Sequence, residues 1–244
     1  MRQVGVDGCR AGWIAVTRTG GRLVHSVHAR ITDVVAAFPR AERIFVDVPI
    51  GLPSATAPVR DCDRLAREVL GARRSSVFPV PCRAAAHAGS VHDARALNIA
   101  QLGRSLAAQT WGICGKIAEV DRLLLARPGL PLREVHPEVC FWALAGGRPM
   151  AHRKKTREGA EERLALLTSY EPDARALVAR VATRRGEVAP DDVLDALAVF
   201  VTAEGRAGGL ACLPAEPERD ERGLPMEMVL PAVRHRPFMS PAGP

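Results

Sequence analysis

The chain has 244 residues, 47% of them hydrophobic, which suits a globular protein with a substantial core and excludes a disordered tail. Its formal net charge of +7 would favour a phosphate-rich partner, yet 31 of the 34 basic residues are Arg, a bias that coding composition produces as readily as selection for a basic surface. No apolar run approaches the roughly 18 residues of a membrane span, and the N-terminal stretch breaks at Asp7 before a signal-peptide core forms, so the expectation is a cytoplasmic protein with no membrane partner.

In chain order, "QVGVDG", "GWIAVTRT" and "RLVHSVHA" read as three short strands, with Gly20 and Gly21 turning the second into the third. "ITDVVAAFP" is a short amphipathic helix ended by Pro39, and "RIFVDVPIG" an apolar strand of the kind buried on both faces of a parallel arrangement. The start is therefore β-β-β-α-β. From Arg60 to Arg83 the chain is Arg-rich, a short helix followed by a loop that Pro79 and Pro81 keep irregular. Leu102, Leu106, Ile113, Ile117, Val120 and Leu124 keep helical spacing, which predicts helix over most of 92–126. "PLREVH" is another strand, and His136 and Pro137 cap a helix over "EVCFWALAGG". "HRKKTREGAEERLALLTSY", "EPDARALVARVATRR" and the strongly apolar "APDDVLDALAVFVTAEGR" read as helices, followed by two extended segments around a polar loop. No linker or repeat divides the chain. The expectation is one α/β domain over residues 1–244, with a mixed central sheet flanked by helices and helical insertions around 52–91 and 147–188.

Cys9, Cys62, Cys82, Cys114, Cys140 and Cys212 form no C-x-x-C pair, which argues against a zinc ribbon or a disulfide framework. The acids are more telling. Asp7 ends the first strand, Asp47 interrupts an apolar one, Glu134 lies near the end of another, and Asp192 and Asp195 share a face of the last long helix. Ligands gather at the carboxyl ends of strands in α/β sheets, where the first three acids converge. Taken singly, Asp7 before Gly8 could simply start a turn, and Asp192 after Pro190 could serve the helix macrodipole. Asp47 is harder to explain, because a carboxylate inside "IFVDVPI" loses hydration worth several kcal/mol unless a cation meets it. Converging carboxylates without thiolates or clustered histidines call for a hard cation, Mg²⁺ or Mn²⁺. Pairs of such ions roughly 4 Å apart assist phosphodiester hydrolysis.

"VGVDG", "FVDVPIG" and the "DDVLDALA" of the C-terminal helix resemble the ribonuclease H-like fold, and the spacing from Asp192 to Ala198 resembles the last motif of RuvC-type resolvases. Together with "CDRLAREVLGARRSSVFPVPCR", "KIAEVD" and "EVHPEVCFWAL", they resemble an uncharacterised family of predicted ribonuclease H-like nucleases, over roughly Val4 to Pro231. That resemblance implies Asp7 as a first-strand metal ligand, Asp47 as its partner on the fourth strand, and Asp192 and Asp195 as the helical acids. The resolvase pattern has Glu where this chain has the shorter Asp47, so Glu134 is the candidate to supply the missing reach. Strand alternation sets Glu134 and His136 on one face of "EVHPE", a metal ligand beside a proton shuttle, while Glu138 decorates the helix start. His136 reads equally as an N-cap or a satisfied buried histidine.

Arg73, Arg74 and Arg83 either clamp phosphates or pair with Asp61, Asp63 and Glu68; Lys154 and Lys155 in "HRKKT" lean towards phosphate. With aromatics at 4%, extended base stacking is not expected. The expected activity is a divalent-metal-dependent nuclease or phosphodiesterase on DNA or RNA. Two rivals stand beside it. One is an actin-like nucleotide phosphotransferase, which would normally carry a second lobe, although no second "GVDG" occurs. The other is a non-catalytic nucleic-acid-binding module.

Overall fold

The computed structural model describes residues 2–181, 186–206 and 208–233. Strands β1 (Arg2–Cys9), β2 (Gly12–Thr19) and β3 (Arg22–His28) form an antiparallel meander. Gly20 and Gly21 make the last turn at φ of 57° and 80°, backbone that favours residues without a Cβ. Helix α1 (Ile31–Ala37) then crosses to β4 (Ala41–Val46), which runs parallel to β1, and the short β5 (Leu132–Glu134) adds parallel to β4. The result is a mixed five-stranded sheet in the order β3-β2-β1-β4-β5.

Between β4 and β5 lie α2 (Asp61–Leu70), a 3₁₀ turn at Gly71–Ser76, α3 (Arg83–Ala86), α4 (Val91–Leu102) and α5 (Ala108–Ala126). The continuous helix expected over 92–126 is in fact two, because Gly103 adopts φ 66° and donates its N–H to the Ile99 carbonyl at 2.9 Å, closing α4. After β5 come α6 (Pro137–Leu144), α7 (Arg157–Tyr170), α8 (Ala174–Val181) and α9 (Pro190–Glu204). Helix α7 starts later than "HRKKT" suggested: the Thr156 hydroxyl accepts from Gly159 N–H at 3.1 Å and caps it, leaving 151–156 irregular. The end of the helix expected through Arg185 lies outside the described residues. Strands β6 (Leu210–Leu213) and β7 (Met228–Pro231) pair antiparallel, and a Val135–Val229 bridge joins them to the end of β5.

Strand alternation feeds two cores. Ile14, Val16 and Phe45 face α9, whose residues are buried continuously from Val193 to Ala203; Val4, Val6, Trp13 and Ile44 face α1 and α5. Gly5 sets the depth of the first layer. A Cβ there would lie 2.2 Å from Phe200 N and 2.5 Å from Ala196 O, so only glycine lets the α9 backbone rest on β1. Among the described residues, no helix is long and apolar enough to cross a membrane.

Candidate functional site

The close seating of α9 on β1 brings the acids together. Asp7 is buried two residues before the end of β1, and its Oδ1 accepts from Gly8 N–H at 2.8 Å. Asp47 does not interrupt β4 as expected; it follows the last residue, and its N–H extends the ladder to the Val6 carbonyl at 3.0 Å. The side chain therefore emerges at the carboxyl end of the sheet. Asp195, buried on the second turn of α9, completes the group.

Burial pushes the Asp7 carboxyl well above the ordinary carboxylate range, and the charges of Asp47, Asp195 and Asp192 push the same way against Lys154. Burial also raises Asp47, opposed by His136, Lys154 and a hydrogen bond from Asp7, with Glu138 adding to the rise. Asp195 is pushed up to about 7, chiefly by burial, with Asp47 and Glu138 reinforcing it and Lys154 opposing. The ammonium of Lys154 reaches Asp195 Oδ2 at 2.9 Å. Burial would lower Lys154, but Asp195, Asp47 and Asp7 hold it well above its usual value. The two partners thus gain unequally. Lys154 is 42% exposed and keeps part of its hydration, whereas the Asp195 side chain is 5% exposed and has exchanged water for a single cation and two like charges. Asp192 stands at the margin, its Oδ2 accepting from Ala189 N–H at 2.9 Å at the start of α9.

"EVHPE" divides differently from the strand reading. Strand β5 ends at Glu134 and α6 begins at Pro137, so alternation does not carry through to His136. Glu134 turns to Arg60: its Oε2 accepts from the guanidinium and from Ile50 N–H at 2.6 Å, and burial pushes it up to about 8 against the pull of Arg60. Arg60 also donates to Asp63 at 2.8 Å and to the Ile50 carbonyl at 2.9 Å. Cys62, Asp63 and Glu134 are, among the described residues, the one group of three whose possible metal-ligand atoms all lie within 4.8 Å of one another. The Arg60 guanidinium already supplies that group's positive charge, so it is a filled structural pair and Glu134 is drawn away from the aspartates. His136 donates Nε2–H to the Ser76 carbonyl at 3.2 Å, leaving Nδ1 buried with no partner among the described residues. Glu138, read from sequence as helix decoration, accepts at Oε1 from Arg163, while Oε2 is buried with no partner among the described residues.

A cleft of about 590 Å³ is lined by Asp47, Glu138 and Asp195 and by Val77, Phe78 and Pro79, whereas Asp7 and Asp192 are not among its lining residues. Arg73, Arg153, Lys154 and Lys155 also line it. Arg73 is tied to the Met150 carbonyl at 2.9 Å. Arg74 faces a separate shallow notch with Arg64 and Arg67. Arg83 does not reach the cleft as a phosphate clamp, because it holds Asp121 at 3.0 Å and Asp220 as well. The cation that Asp47 required is absent from its own strand; His136 and Lys154 act on it through space, while the Lys154 ion pair itself goes to Asp195. The residues that sequence reasoning missed are Arg60, Glu138 and Arg163. The available signal was Glu138 itself, the single charge in the otherwise apolar "PEVCFWAL".

The donor chemistry of the aspartates is that of a hard divalent cation, although among the described residues their oxygens do not form a group lying mutually within 4.8 Å. Asp7, Asp47 and Asp195 offer only oxygen; Asp47 and Asp195 raise Asp7, and Asp47 raises Asp195, while Asp7 lowers Asp47 through a hydrogen bond. Searches of curated proteins and of solved structures found no match. A family model matches residues 5–219, most of the length, and the chain belongs to that family, described as a protein of unknown function, DUF429.

Proposed function

We propose that this protein is a divalent-metal-dependent nuclease or phosphodiesterase of ribonuclease H-like fold, acting on DNA or RNA. The fold reading is supported by the β-β-β-α-β start, the strand order β3-β2-β1-β4-β5, and an acid at the end of β1. The observation that carries the activity is the convergence of buried Asp7 and Asp195 with Asp47 at the sheet's carboxyl end, with Lys154 as the nearby cation.

Mg²⁺ or Mn²⁺, when bound, would supply Lewis-acid activation and charge neutralisation at the scissile phosphate. Asp7, Asp47 and Asp195 would hold it, with Asp192 in reserve at the helix start. Arg153 and Lys155, exposed at the cleft, bind and orient the phosphate backbone. His136, with Nε2–H committed to Ser76, presents Nδ1 as a proton acceptor. The apolar wall at Val77, Phe78 and Pro79 accommodates an unpaired base.

The test is a cleavage screen of single-stranded, duplex, hybrid and branched substrates with Mg²⁺ and Mn²⁺. Asp7→Asn and Asp195→Asn are expected to lose at least about 100-fold in rate, the scale on which removing one preorganised electrostatic group acts. Steady ATP turnover without any cleavage would instead favour an actin-like phosphotransferase. The Lys154–Asp195 pair favours one further alternative, a nucleic-acid-binding module whose acidic site never loads an ion.

A further inference from the structure

We propose that residues 151–156 are a preformed phosphate-binding loop, and that Glu162 and Arg163 of α7 are its positioning residues, fixing where Arg153 and Lys155 stand before any substrate arrives. The inference rests on the nucleic-acid reading above and extends it to residues that touch no substrate.

The segment forms neither helix nor strand, and irregular chain at a surface is ordinarily mobile. Here its backbone is held from several sides. At the start, Glu162 accepts from Ala151 N–H at 2.7 Å and from His152 N–H at 2.9 Å, one on each carboxylate oxygen. Burial would raise the Glu162 carboxyl, but those two donors bring it below its ordinary value, so it is charged while it holds the loop. The residue before is tied as well, the Met150 carbonyl accepting from Arg73 at 2.9 Å. Arg163, 1% exposed, donates to the His152 carbonyl at 3.2 Å and the Gly159 carbonyl at 3.0 Å, and its other terminal nitrogen goes to Glu138 on α6. At the far end the Arg153 carbonyl accepts from both the N–H and the hydroxyl of Thr156, each at 3.0 Å. The loop also rests directly on α7: a Cβ on Gly159 would lie 1.9 Å from the Arg153 carbonyl oxygen. These contacts within 151–156 are made to backbone groups. Lys154 is committed to Asp195, but the exposed side chains of Arg153 and Lys155 have no ion pair or hydrogen bond among the described residues, and both line the cleft. A loop fixed in this way binds without first having to be ordered, and that saving appears as affinity.

Glu162→Ala separates position from charge, because the two effects have opposite signs. Removing a carboxylate beside a basic loop should by charge alone tighten the binding of a nucleic acid. If Glu162 positions the loop, binding should instead weaken, about tenfold, because the freed segment must be ordered again. The salt dependence should keep its wild-type slope, since Arg153 and Lys155 are both still present. Fluorescence anisotropy of a single-stranded oligodeoxynucleotide in EDTA, over a series of salt concentrations, reads affinity and slope together. Hydrogen exchange should show the Ala151 and His152 amides losing protection, and Glu162→Gln, which keeps an acceptor, should recover part of the affinity. Gly159→Ala is the second arm. Alanine ordinarily favours a helix, but here its Cβ would push Arg153 away, so this variant should also bind more weakly, with thermal melts checking that it folds. Glu162→Ala or a folded Gly159→Ala binding as tightly as wild type, or more tightly, overturns the positioning role and leaves the nucleic-acid reading intact. A wild type that binds no oligonucleotide overturns both.

Discussion

Asp195 carries a pH signature that separates a site acid from a structural one. Its folded pKa of about 7 lies above the ~3.9 of an unfolded Asp, so between these values the native protein holds a proton that the unfolded chain has lost. The stabilising contribution is complete below about pH 4 and disappears as pH rises through 7, amounting to up to ~4 kcal/mol for one group and less where Lys154 compensates. The groups facing it are Lys154, Asp47 and Glu138, so it titrates as part of a set. Denaturant melts in EDTA at pH 5 and pH 8 should show wild type losing stability with pH and Asp195→Asn losing less, ending more stable than wild type at pH 8. If wild type instead gains stability over that interval and Asp195→Asn is weaker by several kcal/mol, the Lys154 pair is an ordinary structural salt bridge. Glu134 marks the contrast: it is raised as well, but its charge is answered directly by a fully buried guanidinium.

At the level of elements, the site depends on how closely α9 approaches β1. Pleating at β1 and the turn spacing of α9 put Asp7 and Asp195 on facing surfaces, but their separation is decided by Gly5, where backbone touches backbone. Gly5→Val cannot be absorbed by a side-chain rotation, since the nearest atoms are Phe200 N and Ala196 O. It should lower stability by about 3 kcal/mol or more and abolish Mn²⁺ binding by lifting Asp195 off Asp7. Thermal melts with and without Mn²⁺ give both quantities. A Gly5→Val protein that retained wild-type stability and metal response would show that α9 is not positioned by this contact. The junction of β5 with α6 works by a related rule. Ending the strand at Glu134 and starting the helix at Pro137 changes the period from two to 3.6, which sends Glu134 to Arg60 and Glu138 to Arg163.

Across the whole molecule, the excess of arginine overstates the surface available to nucleic acid. Arg18, Arg60, Arg83, Arg133 and Arg163 are all engaged with carboxylates, several of them buried. The phosphate-facing cations at the cleft are better sought in Arg153 and Lys155, exposed side chains on its rim. Binding of single-stranded DNA measured against salt should therefore lose about 0.7 in logarithmic slope for each of Arg153→Ala and Lys155→Ala. Arg83→Ala should keep the wild-type slope and melt early, having opened the link between α3, α5 and the Asp220 loop. An Arg83 variant that melts normally and binds with a reduced slope would restore that residue to the phosphate contacts.

What the sequence alone determined was whatever depends on local period and position: the β-β-β-α-β start, the amphipathic α1, the strongly apolar α9, and an acid near the end of β1. Those features follow from patterns two to four residues long, legible without knowing what packs where. Pairing was decided only by the tertiary structure, because a buried charge must find a counter-charge and nothing restricts how far along the chain it comes from. Glu134 meets Arg60 across 74 residues, Lys154 meets Asp195 across 41, and Arg83 meets Asp220 across 137. The same acids read identically as metal ligands or as ion-pair partners until the fold says which of them has a guanidinium beside it, as Glu134 does, and which has an oxygen left unpaired, as Glu138 does.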